Sequence, residues 1–536
     1  RELFETCLLL SKRLDKKYNK QTIAAKMTDV PGHTRSIIDP MYDAGIRLLH
    51  VGINSACPLP SVPTFCRWRS PSGNDLLLVY QKDYGEDEVL PDGKTVVSIN
   101  FTGDNHGPHS YERVKKIYAD LRKRYPQAQL VGASFNDVAR ELLLIKKDLP
   151  VVTSEIGDTW IFGYGGAPIR MAKFRAVSRL YSQWLNEGKI KKDSDVALDF
   201  AAELGLIAEH TQGVDVKTHL RQWDKYDMDK FLKGRSEGIF SMAEASWKEI
   251  DNYIDSAIAF LPASLQKEAR EVVAEVDKVK LEDNSKMKPM ERKRWEQPIA
   301  AGMTLAGLSY QMFDGDDYDD FQNRYLRARY GWALDDLGKR GLKESHAVSV
   351  TLYAQTITQS VRKEKKGTRI ITELRFPENE KVDKRVYPER IQVNCFTTKN
   401  GKRSEVALTI YGKPAVRLPE SYWLSFTVPG IESVIAEKMG ERVNLMDVVE
   451  KGNRQMHGID RYVDLITSGE TIRISSKEAF LLNVGEAQGL NYSTNYPDKR
   501  KGAHFNLNNN LWGTNFSMWN EGSLTYHFVI ETLNRK

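Results

Sequence analysis

The hydrophobic pattern of this chain changes twice along its 536 residues. In residues 1–166, short β-forming runs alternate with helical patterns, which predicts parallel strands joined by crossover helices. Residues 167–342 are dominated by long amphipathic segments, which is typical of a helical bundle. Residues 343–536 alternate apolar and polar positions, the pattern of a β-sandwich. We therefore predict a multidomain protein with an α/β, an all-α and an all-β domain in these three ranges.

The charge and hydropathy of the chain exclude two classes of partner. The net charge of +6 is a small difference between 78 basic and 72 acidic side chains. The basic run KKIYADLRKR lacks the interleaved aromatic residues of a base-stacking surface, so we expect no nucleic acid. No apolar run approaches the roughly 20 residues that cross a bilayer, so we expect a soluble protein without a membrane partner.

The cysteines and aromatic residues leave alternatives open. Four scattered cysteines are too few for a disulfide scaffold or a zinc knuckle, and Cys57 and Cys66 either pair across a short loop or stay thiols. Ten Trp and 23 Tyr suit stacking on sugar faces, although large cores use the same residues. No signal peptide precedes the helical pattern at Arg1. A periplasmic or secreted location would follow if a signal was removed with an N-terminal portion.

One stretch, residues 26–46 (KMTDVPGHTRSIIDPMYDAGI), offers a carboxylate and an imidazole on a tight loop. Asp29 and His33 lie on either side of Pro31 and Gly32, which interrupt regular structure between a predicted strand and a predicted helix. The exit of a strand is a common place for chemistry in α/β proteins. Taken alone, Asp29 is either a catalytic group or a loop cap.

Three further segments carry candidate side chains. Asp104 and His106 follow a predicted strand in the polar loop FTGDNHGPHSY, where Asp104 either acts chemically or caps the next helix. Asp158 and Trp160 follow another strand exit, and Trp160 suits sugar contact or structural packing equally. His210 ends an apolar helical pattern, a position that suits either helix capping or metal binding.

The run TDVPGHTRSIIDPMYDAGIRLLHVGIN resembles the Asp-Pro-Phe-Gly-His-Ser segment of glycoside hydrolase family 38, the zinc-dependent α-mannosidases. Gly replaces Phe and Pro is shifted by one place, which indicates an uncharacterised divergent branch. The order of the three predicted domains is similar to the family's order over nearly the whole chain. The resemblance implies a (β/α) barrel of the seven-stranded type, incomplete at its N-terminus, followed by a helical bundle and a β-sandwich.

The resemblance also implies a mechanism. A retaining glycosidase uses one carboxylate as nucleophile and a second as acid and base, roughly 5 Å apart. In the family, zinc binds the 2- and 3-hydroxyls of the sugar and one carboxylate is both nucleophile and metal ligand. The roles carried over to this chain are nucleophile and zinc ligand for Asp29, general acid/base for Asp104, zinc ligand for His210, orientation of Asp29 or substrate contact for His33, and substrate contact for His106, Asp158 and Trp160.

The chain departs from the family pattern at the metal. Family members supply two further zinc ligands from a His-x-Asp motif on the first strand, and no such strand motif occurs here. We expect those ligands on a missing N-terminal strand. The resulting hypothesis is a zinc-dependent, α-mannosidase-like retaining hydrolase with a carbohydrate substrate, and the activity of a truncated chain stays open. The alternatives are a non-catalytic carbohydrate-binding relative and a zinc-dependent carbohydrate deacetylase. The sugar and the oligomeric state are not determined.

Overall fold

The computed structural model of the chain describes residues 1–103, 106–290 and 297–533, apart from the side chain of Ala306. Its contacts divide the chain into two compact units. The α/β unit comprises residues 8–157 and 449–452, and the larger unit comprises residues 1–7, 158–448 and the segment from 453 onward. The predicted division into three domains stays a prediction. No helix in the described ranges is both long and apolar enough to cross a membrane.

The α/β unit is built on a five-stranded sheet in which three neighbouring strands, β1, β2 and β4, run parallel. The second and fourth strands are buried along their whole length, as expected for near-continuous apolar runs. Helix α4 packs on this sheet, with Leu142 against Leu48 and Leu77 in one apolar cluster. The elements of residues 1–157 are α1 (Glu2–Tyr18), β1 (Ala24–Asp29), α2 (Ile38–Asp43), β2 (Leu48–Ile53), β3 (Phe65–Arg69), β4 (Asp75–Gln81), β5 (Asp87–Val89), β6 (Val96–Ser98), α3 (Tyr111–Arg124), α4 (Phe135–Leu144) and β7 (Val151–Val152).

The sheet order β1-β2-β4-β3-β7 has two ends, so its described strands form an open sheet, and the predicted incomplete barrel stays a prediction. The structure corrects two other expectations for this region. Strand β3 runs antiparallel to β4, where only parallel strands were predicted. Residues 128–134 (AQLVGAS), one of the short β-forming runs of residues 1–166, form no strand, and Val131 is 70% exposed. Strand propensity there has no neighbouring strand to pair with, and tertiary context overrides it.

The helices of the larger unit lie on the predicted amphipathic segments. Pro168 opens α5, where its missing N–H costs no hydrogen bond, and the Ser194 side chain caps α6. Tyr181 and Trp184 of α5 pack with Phe200 of α6 in the core of these helices. The helices are α5 (Pro168–Asn186), α6 (Asp195–Gly205), α7 (Val216–His219), α8 (Met228–Ser236), α9 (Ser241–Ala259) and α10 (Ala263–Asp277).

The rest of the larger unit forms two antiparallel sheets of seven and ten strands. The seven-stranded sheet follows the order β11-β10-β16-β23-β22-β19 with β9 on β10, and the ten-stranded sheet the order β18-β17-β20-β21-β24-β15-β14-β13-β12-β8. The elements are β8 (Lys288–Pro289), β9 (Gln297–Pro298), β10 (Thr304–Met312), α11 (Gly315–Tyr325), α12 (Gly331–Asp336), β11 (Val350–Tyr353), β12 (Gln355–Lys363), β13 (Gly367–Arg375), β14 (Arg390–Thr398), β15 (Arg403–Lys413), β16 (Glu420–Thr427), β17 (Ser433–Lys438), β18 (Glu441–Asn444), β19 (Met456–Gly458), β20 (Tyr462–Ile466), β21 (Thr471–Ser476), β22 (Leu481–Val484), β23 (Ala503–Asn509) and β24 (Gly522–Leu533).

The two sheets contact each other through aromatic rings. The centroid of Phe528 in β24 lies 5.4 Å from that of Phe426 in β16 and 5.1 Å from that of Phe505 in β23. The finer assignment as a β-sandwich stays a prediction. Strand β10 lies within the segment that was predicted as helical, and this prediction was wrong. Its residues 308–312 are all buried between β11 and β16, and Ser309 and Gln311 alternate there with apolar residues at the period of a strand.

Candidate active site

Asp29 is the last residue of β1, at the edge where the parallel strands β1, β2 and β4 end. Its carboxylate Oδ1 accepts hydrogen bonds from Asn54 Nδ2 at 2.9 Å and from the Tyr84 hydroxyl at 2.5 Å. Asn54 follows β2 and Tyr84 follows β4, so each neighbouring strand end supplies one donor. The backbone of Asp29 has a φ of 85°, in the left-handed region that Asp tolerates better than most residues. Two donors on one oxygen hold the carboxylate in one orientation.

A hydrogen-bonded network of polar side chains lies beside Asp29 on the same three strands. The Lys26 ammonium donates to the Tyr84 carbonyl oxygen at 2.8 Å and to His50 Nδ1 at 2.9 Å. A donor at Nδ1 places the His50 proton on Nε2, which lies 2.8 Å from Gln81 Oε1. Burial lowers the pKa of Lys26 to about 8 and the pKa of His50 to about 4. His50 is therefore neutral near pH 7, and Lys26 holds the backbone of the residue whose hydroxyl contacts Asp29.

Gly52 determines how close the loop after β4 approaches β2. A Cβ atom at this position would lie 2.8 Å from the Asp83 carbonyl oxygen and 2.8 Å from the Tyr84 Cα. Both are backbone atoms, so a side chain at position 52 would force the loop to move. The glycine allows the loop to pack closely against β2, and this packing places the Tyr84 hydroxyl next to Asp29.

His33 lies in the loop after β1, as predicted, and is half-buried. Its backbone exchanges hydrogen bonds with Ile156 at 2.7 and 3.0 Å, and its ring Nε2 lies 3.1 Å from the Val30 carbonyl oxygen. Burial lowers the pKa of His33 to about 4. The imidazole is therefore neutral near pH 7 and is engaged by its own loop. Its predicted role in orienting Asp29 or contacting substrate stays a prediction.

The second predicted carboxylate, Asp104, lies outside the described residues. His106, from the same loop, is exposed, and its ring packs close to Gly103, which has a φ of 105°. The His109 ring Nε2 lies 3.0 Å from the Asn100 carbonyl oxygen and bridges the two ends of the loop. The roles predicted for Asp104 and His106 stay predictions.

In the larger unit, Asp158 carries a buried carboxyl group. The Tyr325 hydroxyl lies 3.1 Å from each of its oxygens, and the Trp160 backbone N–H donates to Oδ2 at 3.0 Å. Burial raises the pKa of Asp158 to about 6, because the hydrogen bonds offset only part of the desolvation of its charge. Such a carboxyl can gain or lose a proton near neutral pH.

Two residues that were singled out from the sequence, Asp158 and His210, lie beside a third, Trp160. Trp160 is 8% exposed, and its ring centroid lies 6.2 Å from those of both His210 and Trp512. The Trp160 Nε1 is buried and has no hydrogen-bond acceptor within the described ranges. His210 Nδ1 contacts the carboxylate of its neighbour Glu209. Asp158, Trp160 and His210 thus lie close together, and Tyr325 and Trp512 complete the Asp158 cluster.

The described side chains do not provide the ligands that a zinc ion needs. A catalytic zinc site uses about three protein ligands and a water. Across residues 1–103, 106–290 and 297–533, no group of three His, Cys, Asp or Glu side chains is placed to hold a metal. The described side chains around Asp29 and around His210 therefore do not fit a zinc site, and no chemical step below depends on one. The Cys57–Cys66 disulfide is also absent, because Cys66 is a buried thiol.

Several residues of these clusters had not been singled out from the sequence. Tyr84, Asn54 and Lys26 contact Asp29 or its partners, and Tyr325 contacts Asp158. A polar residue just after each parallel strand was the available signal for Asn54 and Tyr84, because such residues collect at one sheet edge. No comparable signal marks Tyr325, which lies 167 residues away from Asp158 in sequence.

Known proteins resemble the chain in part of its sequence and in its fold. The profile of a domain of unknown function, DUF5054, matches residues 165–297. No curated protein matches the sequence. Among solved structures, a protein of glycosyl hydrolase family 38 from Enterococcus faecalis is 10% identical with a TM-score of 0.47, covering 99% of this chain and 75% of that one.

An α-mannosidase from Enterococcus faecalis V583 is more similar in structure, with a TM-score of 0.56 at 9% identity. The similarity covers 99% of this chain and 76% of the mannosidase. At this identity the likeness shows a shared fold and nothing of the chemistry. The predicted resemblance is therefore confirmed at the level of the fold: the chain has an α-mannosidase-like fold.

Proposed function

We propose that this chain is a retaining glycoside hydrolase of the α-mannosidase-like type, belonging to a divergent branch of family 38. The observation that carries the proposal is the Asp29 carboxylate at the carboxyl end of a parallel strand, oriented by Tyr84 and Asn54. The fold shared with an α-mannosidase supports a carbohydrate substrate.

In this proposal Asp29 is the nucleophile. Its ionised carboxylate attacks the anomeric carbon, the bond to the leaving oxygen breaks, and a glycosyl ester forms. The Tyr84 hydroxyl and the Asn54 amide hold the carboxylate against rotation before attack. They also donate to the ester that forms when the carboxylate loses its charge, but their hydrogen bonds to the ionised carboxylate are stronger. Hydrolysis of the ester restores the ionised carboxylate.

Asp104 is the proposed general acid and base. It protonates the leaving oxygen in the first step and takes a proton from the attacking water in the second. This assignment rests on the sequence resemblance of its loop. For the substrate contacts, the proposal keeps His33, His106, Asp158 and Trp160. Trp160 is the aromatic member of this set, and its ring lies beside those of His210 and Trp512.

The zinc ligation that the sequence resemblance implies for Asp29 and for His210 stays a prediction, because the described side chains around each residue do not fit a zinc site. The metal content of the purified chain, measured by inductively coupled plasma mass spectrometry, tests this separately from activity. A stoichiometric zinc ion lost together with the Asp29→Ala and His210→Ala substitutions supports it. A metal-free chain that still hydrolyses substrate contradicts it.

The hydrolase proposal is tested by assaying the chain on 4-nitrophenyl α-mannoside. We expect wild-type turnover and a loss of kcat of about 10³-fold or more in Asp29→Asn, since covalent catalysis is lost. Asp43→Asn, an exposed site in α2, is the matched control and keeps wild-type activity. A fully active Asp29→Asn variant contradicts the proposal. Saturable sugar binding without turnover by the wild type indicates the carbohydrate-binding alternative.

A further inference from the structure

A cavity in the larger unit is lined in part by basic side chains. Its lining includes Lys217, Trp223, Lys339, Arg340, Arg417 and Trp512, and the space that it encloses behind an open mouth is about 20 Å³. We call it the cationic cavity. Four of its fourteen lining residues are basic and one, Asp335, is acidic, although the net charge of the whole chain is only +6.

The two outer cations of the cationic cavity are neutralised by carboxylates. Lys217 Nζ lies 2.8 Å from Asp336 Oδ1 and 3.2 Å from Asp215 Oδ2. Arg340 pairs with Asp335 at 3.5 Å and lies over the ring of Trp223. These pairs are partly exposed to solvent, so they contribute little to binding at the interior of the cavity.

The two inner cations have no such partners. Lys339 Nζ donates to the Trp512 carbonyl oxygen at 2.9 Å, and Arg417 Nη1 donates to the Trp223 carbonyl oxygen at 3.3 Å. Within the described ranges, neither side chain forms an ion pair with a carboxylate. Arg417 is 3% exposed, its guanidinium lies 4.2 Å from the centroid of Tyr226, and its Nε has no acceptor among the described residues.

This arrangement costs the protein free energy when the cavity holds only water. Burial, together with the neighbouring charge of Arg417, lowers the pKa of Lys339 to about 7, and burial also lowers the pKa of Arg417. Buried charges are normally paired, and an unpaired buried guanidinium is an exception that calls for a partner. A bound anion would supply the missing charge and the missing acceptor together.

We propose that the cationic cavity binds the oxyanion of a small organic molecule, a phosphate or a carboxylate, through Lys339 and Arg417. The planar donors of a guanidinium match two oxygens of such a group, and an ammonium beside it adds a point charge. The rings of Trp223 and Trp512 also line the cationic cavity. The proposal does not depend on the proposed hydrolase function.

The test is isothermal titration calorimetry on the chain at about pH 6, where Lys339 is charged. The probes are inorganic phosphate, glucose 6-phosphate and glucuronate, with glucose as the neutral counterpart. We expect saturable one-site binding of at least one oxyanion and none of glucose. Whether the phosphate or the carboxylate sugar binds more tightly identifies the preferred oxyanion.

Substitutions locate the binding at the cationic cavity. Lys339 is half-buried, so Lys339→Gln is expected to fold and to raise the Kd about tenfold or more. Lys384→Gln removes the same charge from an exposed side chain and leaves the Kd unchanged. Arg417→Lys keeps the charge but loses the planar donors, and it also weakens binding. The proposal is overturned if no oxyanion binds saturably, or if Lys339→Gln and Lys384→Gln both bind like the wild type.

Discussion

The hydroxyl of Tyr84 donates a 2.5 Å hydrogen bond to Oδ1 of Asp29, a residue 55 positions earlier in the chain. The contact exists because parallel strands β1 and β4 end at the same sheet edge and because Gly52 lets the loop after β4 rest on β2. A carboxylate fixed in this way is oriented before substrate arrives, which is what a nucleophile requires.

Removing the Tyr84 hydroxyl should therefore affect catalysis more than binding. For Tyr84→Phe we expect kcat on 4-nitrophenyl α-mannoside to fall about 10- to 100-fold with a small change in KM, since a hydrogen bond to a charged group contributes about 1.5–3 kcal/mol. Steady-state kinetics measure the split. Tyr111→Phe, at a side chain that is 75% exposed, is the control and stays at wild-type values. Equal kinetics for both variants would remove Tyr84 from the mechanism.

A methyl group at Gly52 should displace the same loop. Because the added Cβ would lie 2.8 Å from two backbone atoms, we expect Gly52→Ala to lower the free energy of unfolding by about 1–3 kcal/mol. We also expect it to lower kcat at least as much as Tyr84→Phe does. Gly469→Ala, where nothing lies within 4 Å of the new atom, is the matched control. Urea unfolding and the mannoside assay measure both effects, and an unperturbed Gly52→Ala variant would contradict this account of the loop.

The raised pKa of Asp158 predicts a pH-dependent stability. The folded-state pKa is about 6 because of burial, against an ordinary value of 3.8. Between these values the folded protein keeps a proton that the unfolded chain has released, so stability falls as pH rises through this window. The full cost, about 3 kcal/mol, applies above pH 6. Asp158→Asn buries no charge and should gain stability relative to the wild type over the same window.

Urea unfolding of both proteins between about pH 4 and pH 7 measures this difference. Asp336, whose pKa burial also raises to about 6, is present in both proteins and cancels in the comparison. A difference in unfolding free energy that does not change with pH would show that the Asp158 carboxyl titrates normally.

The unpaired N–H of Trp160 predicts a variant that loses binding without losing stability. Trp160→Phe keeps an aromatic ring beside His210 and Trp512 but removes a buried donor that has no acceptor within the described residues. We expect its free energy of unfolding to change by less than about 1 kcal/mol, while the KM for mannoside rises about three- to tenfold. Trp332→Phe, at a more exposed ring, is the control. A large loss of stability with an unchanged KM would assign Trp160 to packing.

Part of this arrangement could be predicted from the sequence. The strand exit at Asp29 was predicted because Pro31 and Gly32 interrupt an apolar pattern, and β1, β2 and β4 follow from apolar runs between helices. The clustering of Asp158, Trp160 and His210 was not predicted, although each residue was singled out separately. Their contacts join segments 50 residues apart, as between Trp160 and His210, and only tertiary packing decides such pairs.

Other features of the structure had no recognisable pattern in the sequence. Lys26, His50 and Gln81 lie in strands, and each follows an apolar residue. Such polar residues are recognised as one hydrogen-bonded network only when the strand register is known. The two inner cations of the cationic cavity, Lys339 and Arg417, belong to a loop and to the segment before β16. Their shared burial depends on the whole larger unit and not on local pattern.

The central claim, that Asp29 is the nucleophile, is tested most directly by trapping the glycosyl ester. The chain is incubated with a 5-fluoro-mannosyl fluoride, whose ester hydrolyses slowly, and is then digested and analysed by tandem mass spectrometry. We predict one fluoro-mannosyl adduct, on Asp29, that is absent from the Asp29→Asn variant. An adduct on another carboxylate, or hydrolysis of the probe by the Asp29→Asn variant at the wild-type rate, would contradict the account.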